Sequence, residues 1–148
     1  MATVSAYNSG TRLNIGLNNT LPFFNPGRNP NIGPGNARSD VSLGAFDPGR
    51  DLYLNRAAFL VPVDGQYGNA PRYLETRGPG RLEESFAVMK NTRITERLTH
   101  QFRLEMQNPF NRVVFANPVT NLAANNFGTI ASTQIDPRNI QFGMKFIW

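Results

Sequence analysis

The chain has 148 residues and a formal net charge of +5, from 15 basic and 10 acidic side chains, with 13 Gly, 11 Pro and 18 Asn. There is room for one domain of ordinary size. The lack of cysteine excludes disulfide scaffolds and thiol chemistry, and the single histidine, His100, excludes a multi-histidine metal site. The positive charge is nearly all arginine, yet it is spread evenly over both halves with no like-charge run, so no nucleic-acid partner is expected.

Residues 1–7 hold neither a basic region nor an apolar stretch of the kind a signal peptide needs. From Leu21 to Arg50 the chain is dense in breakers, including Asn25-Pro26-Gly27, Gly33-Pro34-Gly35 and Asp47-Pro48-Gly49. Such a stretch cannot hold a helix and is predicted to be a long loop. Residues 51–63 are expected to hold a short helical turn and a short extended piece. The longest apolar run there, Ala57-Ala58-Phe59-Leu60-Val61, ends at Pro62 and is far too short for a spanning helix. Read alone, these absences point to a cytoplasmic protein; the strands that follow argue against it. Residues 64–80 return to turn chemistry, and Arg77-Gly78-Pro79-Gly80-Arg81 reads as a tight turn without the lysine and spacing of a phosphate loop.

After Gly80 the texture changes to alternation. Phe86 and Val88 indicate one strand, expected to end at a Lys90-Asn91 turn. Between Ile94 and Gln107 the even positions carry Ile94, Leu98, His100, Phe102, Leu104 and Met106, with Glu96 the exception, while every odd position is polar, Arg97, Arg103 and Glu105 among them. Residues 127–133 give a weaker strand signal. The last ten residues set Ile140, Phe142, Met144, Phe146 and Trp148 on one face, and Asn139, Gln141, Gly143 and Lys145 on the other, with Ile147 the exception. Period-two alternation of this kind gives a strand one apolar and one polar face. Strands of soluble proteins cluster near five or six residues, whereas membrane-barrel strands need roughly nine to eleven. The fold class expected is therefore all-β: a loop-rich region over 1–80, then an antiparallel meander of transmembrane-barrel type over 81–148.

Short stretches from residue 45 onward resemble the C-terminal end of TonB-dependent outer-membrane receptors, particularly the Oar-like group with a carboxypeptidase-regulatory-like domain. They are Tyr53-Leu54-Asn55-Arg56-Ala57-Ala58-Phe59, Gly65-Gln66-Tyr67-Gly68-Asn69-Ala70-Pro71-Arg72 and Arg77-Gly78-Pro79-Gly80. Further matches are Lys90-Asn91-Thr92-Arg93-Ile94-Thr95-Glu96-Arg97, Gln101-Phe102-Arg103-Leu104-Glu105 and Asn108-Pro109-Phe110-Asn111-Arg112. The series closes with Asn126-Phe127-Gly128-Thr129-Ile130 and Asp136-Pro137-Arg138-Asn139-Ile140-Gln141-Phe142-Gly143-Met144-Lys145. Met106 and Pro109 depart from the residues usual in the group, and residues 1–44 match at most one loop-bearing strand. The resemblance implies a segment of a much longer receptor, placed in the bacterial outer membrane and serving energised nutrient uptake.

On this reading Phe102, Leu104, Met106, Ile140, Phe142, Met144, Phe146 and Trp148 form a lipid-facing or assembly face. Arg97, Arg103, Glu105, Gln141 and Lys145 form a lumenal polar network. The terminal aromatics of Phe142, Phe146 and Trp148 resemble the signal read by the barrel-assembly machinery, which acts by strand addition. The partners expected are the remainder of a larger barrel or further copies of the chain, outer-membrane lipid and that machinery. His100, on the apolar face, is expected to pack and not to act as a base. Glu83 and Glu84, adjacent in a strand, point to opposite faces and make a poor acid–base pair. No nucleophile motif, metal cluster or cofactor fingerprint occurs, so neither an enzyme nor a cofactor is expected. Two alternatives remain at this point: a structural β-protein that assembles edge to edge into a fibre or sheet, which would be extracellular, and a small secreted binding module.

Overall fold

The computed structural model describes residues 1–17, 29–39 and 45–148. Parts of the breaker-rich loop predicted between Leu21 and Arg50 (21–28 and 40–44) lie outside the described residues. The fold is all-β. Its strands are β1 (Ala2–Asn8), β2 (Asn31–Ile32), β3 (Phe59–Leu60), β4 (Arg81–Arg93), β5 (Thr99–Gln107) and β6 (Asn139–Ile147), with one 3-10 turn at Arg56–Ala58. Residues 51–63 thus hold the helical turn and the short extended piece that their sequence predicts.

The described residues form two compact units. The first comprises Met1–Asn8, Gly80–Val114 and Thr133–Trp148, and the second comprises Ser9–Pro79 and Phe115–Ser132. The sequence division at residue 80 differs from this one: the first strand joins the meander, while 115–132 belongs with the loops.

The first unit is a four-stranded antiparallel sheet in the order β1-β4-β5-β6. Register fixes what shares a face, because residues directly opposite one another in an antiparallel pair point the same way. Phe86 lies opposite Met106, which lies opposite Ile140; Val88, Leu104 and Phe142 form the next row. Lys90, Phe102 and Met144 follow, then Thr92, His100 and Phe146.

The structure departs from the sequence expectations at three places in and near the sheet. Lys90 and Asn91 do not turn: β4 runs on to Arg93, because Lys90 pairs with Phe102 and the Gln101 side-chain amide donates to Asn91 Oδ1 at 3.0 Å. Cross-strand pairing overrides the turn preference of asparagine. The reversal falls instead at residues 94–98, where Ile94 N donates to Leu98 O at 2.9 Å, so the strand expected from Ile94 starts at Thr99. No strand forms over 127–133; Phe127 and Ile130 are buried, and Gly128 adopts φ +82° within turns.

The second unit is made of loops, yet it holds a hydrophobic cluster. Leu13, Ile15, Phe46, Tyr53, Leu54, Ala58, Phe59, Leu74, Leu122, Phe127 and Ile130 pack together. Ring pairs lock it edge-to-face: Phe46 with Tyr53 at 6.1 Å, Phe46 with Phe115 at 5.4 Å and Phe59 with Phe127 at 5.9 Å. Its backbone groups are satisfied one at a time, as in Tyr53 N to Gly128 O and Leu74 N to Leu13 O, each at 2.8 Å.

The stretch around Gly78 is not a tight turn. Arg77 bridges Arg12, and Gly78 N donates to Thr11 O at 2.9 Å, so the segment runs extended beside 10–13. The glycines serve close approach: a Cβ on Gly10, itself at φ +83°, would lie 2.1 Å from Gly78 O.

Candidate membrane surface and polar face

The sheet presents two unlike faces. On one, Phe86, Val88, Phe102, Leu104, Met106, Ile140, Phe142, Met144 and Phe146 form a broad apolar surface, a placement set by the pairing register. Its outer part is open, with Phe142 and Met144 each 70% exposed and Phe146 51%. The Phe102 and Phe142 rings meet diagonally across β5 and β6, with centroids 6.4 Å apart. His100 sits on this face with its ring 5.0 Å from that of Phe146, the packed placement expected of it. Trp148 follows β6 and is almost fully exposed.

The other face is mainly polar, with Met89 opposite Arg103 and Ile147 opposite Thr99 as apolar exceptions. Arg103 and Glu105 share it, with Arg103 Nε donating to Glu105 Oε1 at 2.9 Å, and Gln141 and Lys145 project to the same side from β6. Arg97 does not join them: it lies in the exposed 94–98 reversal, because strand pairing begins only at Thr99. Glu83 and Glu84 do take opposite faces. Glu83 accepts from Arg81 Nε at 3.1 Å on the polar face.

Glu84 belongs to a cluster that sequence reasoning did not find. Its carboxylate accepts from Arg112 Nε at 3.1 Å and from the Tyr7 hydroxyl at 3.3 Å. The Arg112 guanidinium also lies 5.3 Å from the centre of the exposed Phe110 ring. Tyr7, Glu84 and Arg112 come from three distant segments, so no local pattern in the sequence signals their meeting.

Asn108 was missed in the same way. It is the buried polar residue of this unit and stands in the left-handed region at φ +47°, which asparagine tolerates. Its amide nitrogen donates to Arg112 O at 2.9 Å and Asp136 O at 3.1 Å, and its Oδ1 accepts from Arg112 N at 2.8 Å. One side chain therefore ties the exit of β5 to the approach of β6.

Connectivity gives the sheet a direction. The short reversal at 94–98 closes one end, while 9–80 and 108–138 both leave from the other. Short turns at one end, long loops at the other, and alternation between an apolar and a polar face are the attributes of outer-membrane barrel walls. A family model described as an outer membrane beta barrel domain matches residues 1–141, nearly the whole chain. No curated protein and no solved structure matches it.

Proposed function

Because the chain belongs to the outer membrane beta barrel domain family, and so to the bacterial outer membrane, we propose that it forms part of the wall of a TonB-dependent transporter for nutrient uptake. The observation that carries this reading is the open sheet with both long connections at one end. In hydrocarbon every backbone donor and acceptor must be paired, so a spanning sheet has to close on itself. Four strands fall short of the roughly eight in the smallest single-chain barrels. The wall is therefore completed by strands from elsewhere in a longer chain or from further copies.

In that wall the Phe102, Leu104, Phe142 and Met144 face meets lipid, and the Arg103, Glu105, Gln141 and Lys145 face lines the lumen. His100, Phe146 and Trp148 lie at the short-turn end, where amphipathic rings suit the interface, and Tyr7 and Phe110 serve the loop end. The β6 edge offers unpaired backbone groups, through which strand addition by the barrel-assembly machinery would proceed. The loop unit, with its own core, is the part that meets solute.

The test is uptake by cells with and without the gene, using a panel of ferric siderophore, oligopeptide and oligosaccharide. Loss of uptake of one class on deletion, matched by an equal loss with a protonophore in complemented cells, is the expected result. Uptake that ignores the protonophore would rule out energy coupling.

A second reading, edge-to-edge assembly into a fibre or sheet, is favoured by the two edge strands, β1 and β6, each paired on one side only among the described residues. Such edges template further pairing. Ordered filaments in detergent-free buffer would support it; a strict need for detergent or lipid favours the transporter.

A further inference from the structure

The loop unit contains a cleft of about 550 Å³ whose lining includes Gly35, Asn36, Arg38, Leu54, Asn55 and Arg56. Small-molecule sites fall in the range of roughly 300–1,000 Å³. Arg38 and Arg56 are both among its lining residues, and no Asp or Glu is among the described ones. Arg50, Arg81, Arg103 and Arg112 each pair with a carboxylate, whereas among the described residues Arg38 and Arg56 do not.

Both cations are held in place by uncharged partners. The Arg38 guanidinium lies 5.1 Å above the centre of the Tyr53 ring, and that ring is buried with its hydroxyl donating to Arg77 O at 2.7 Å. Arg56 Nη1 donates to Ala124 O at 3.0 Å. Asn55 caps the 3-10 turn by accepting from Ala57 N at 3.0 Å through Oδ1, which leaves its Nδ2 to donate elsewhere. Gly35, at φ +108°, faces that Nδ2; a Cβ there would lie 3.7 Å from it. The result is a set of fixed donors with net positive charge and no carboxylate among the described residues of the lining.

We propose that this cleft binds a small anionic solute through a carboxylate or phosphate group. The planar fork of arginine matches either oxyanion in a bidentate manner. Guanidiniums already held by a ring and a carbonyl lose little freedom when the ligand arrives. That the bound acid is also the solute taken up rests on the transporter reading above; binding itself does not.

The experiment is calorimetric titration of the full chain in detergent with succinate, with inorganic phosphate, and with succinamide as the neutral analogue. Saturable binding of succinate identifies a carboxylate ligand, and of phosphate a phosphate ligand; succinamide gives no heat. Arg38→Gln and Arg56→Gln each weaken binding at least tenfold, and affinity falls as salt rises. Arg50→Gln, in the same unit but outside the cleft, leaves binding unchanged. Asn36→Asp adds a carboxylate to the lining without removing either arginine contact, and it abolishes binding with the melting temperature kept. Binding of neither anion, or wild-type affinity in Asn36→Asp or in a folded Arg38→Gln/Arg56→Gln double variant, overturns the proposal. Anion binding without protonophore-sensitive uptake sustains the cleft and removes the transporter. Energised uptake without anion binding does the reverse.

Discussion

The two units of this protein solve the same physical problem in opposite ways. In the sheet unit the strands are long and regular, yet apart from Val114 no apolar side chain of its described residues is buried. In the loop unit regular structure is nearly absent, and it holds every other buried apolar residue, with Leu54 completely enclosed. Water-soluble proteins distribute these roles the other way, with strands building the core and loops covering it. On the wall placement proposed above, the contrast follows from solvent. A sheet whose apolar face meets lipid needs no protein core on that side. A loop assembly in water has to bury its own apolar surface or remain disordered.

The largest effect that tests this contrast is expected in the loop core. Leu54→Ala removes a fully buried side chain and costs about 2–5 kcal/mol. Hydrogen exchange read by mass spectrometry should show the Tyr53 amide, bonded to Gly128 O, losing protection while β5 amides keep theirs. Parallel loss in both would mean that the two units open as one.

A second comparison uses neighbouring positions on opposite faces of β6. Phe142→Arg should cost about 2–4 kcal/mol in urea titrations from lipid vesicles, as a cation on the lipid face does. Gln141→Arg, on the polar face, should stay within about 0.5 kcal/mol. Equal costs would remove the assignment of the faces.

Carboxylates of the sheet separate by environment in the same assay. The Glu84 side chain is 15% exposed and holds both Arg112 and Tyr7, so Glu84→Gln should cost about 1.5–3 kcal/mol. Glu105 is more open, at 38%, and Glu105→Gln should cost less than about 1 kcal/mol.

The smallest effect is a pH slope in the loop unit. Burial raises the Tyr53 phenol above its ordinary value of 10.0, and the Arg38 charge offsets this only in part. The folded protein keeps this proton at pH values where the unfolded chain releases it. Stability from this source is therefore complete below about pH 10 and declines as pH rises from there through the folded value. Urea melts between pH 9 and 11.5 should show that decline in wild type and a shallower one in Tyr53→Phe.

How much of this was legible depended on how local each signal is. Alternation in 99–107 and 139–147 is a local property, so β5 and β6 and their two faces could be read directly from residue order. β1 could not, because Thr3, Ser5 and Tyr7 share a row with Glu84 and Phe86 and give no contrast between faces. The end of β4 was misplaced because Lys90 and Asn91 look like a turn until Phe102 and Gln101 are set beside them. Arg97 looked like one more polar-face residue because parity continues through a reversal that only strand register reveals.

By itself the sequence determined the chemical character of each strand: which positions are apolar, which polar, and that the runs are long enough to cross a bilayer. Those properties follow from side-chain transfer energies and the two-residue period of a strand. Tertiary structure decided what lies between the strands. Leu13, Phe46, Leu54, Leu122 and Phe127 are scattered through segments rich in Gly, Pro and Asn, with no period to announce them. They form a core because close approaches such as Gly10 against Gly78, and Gly128 against Leu54, bring distant backbones together. The paired arginines of the cleft arise in the same way: Arg38 is fixed by a ring and Arg56 by a carbonyl from residue 124. Composition counts those arginines, but only packing over long sequence separations places them.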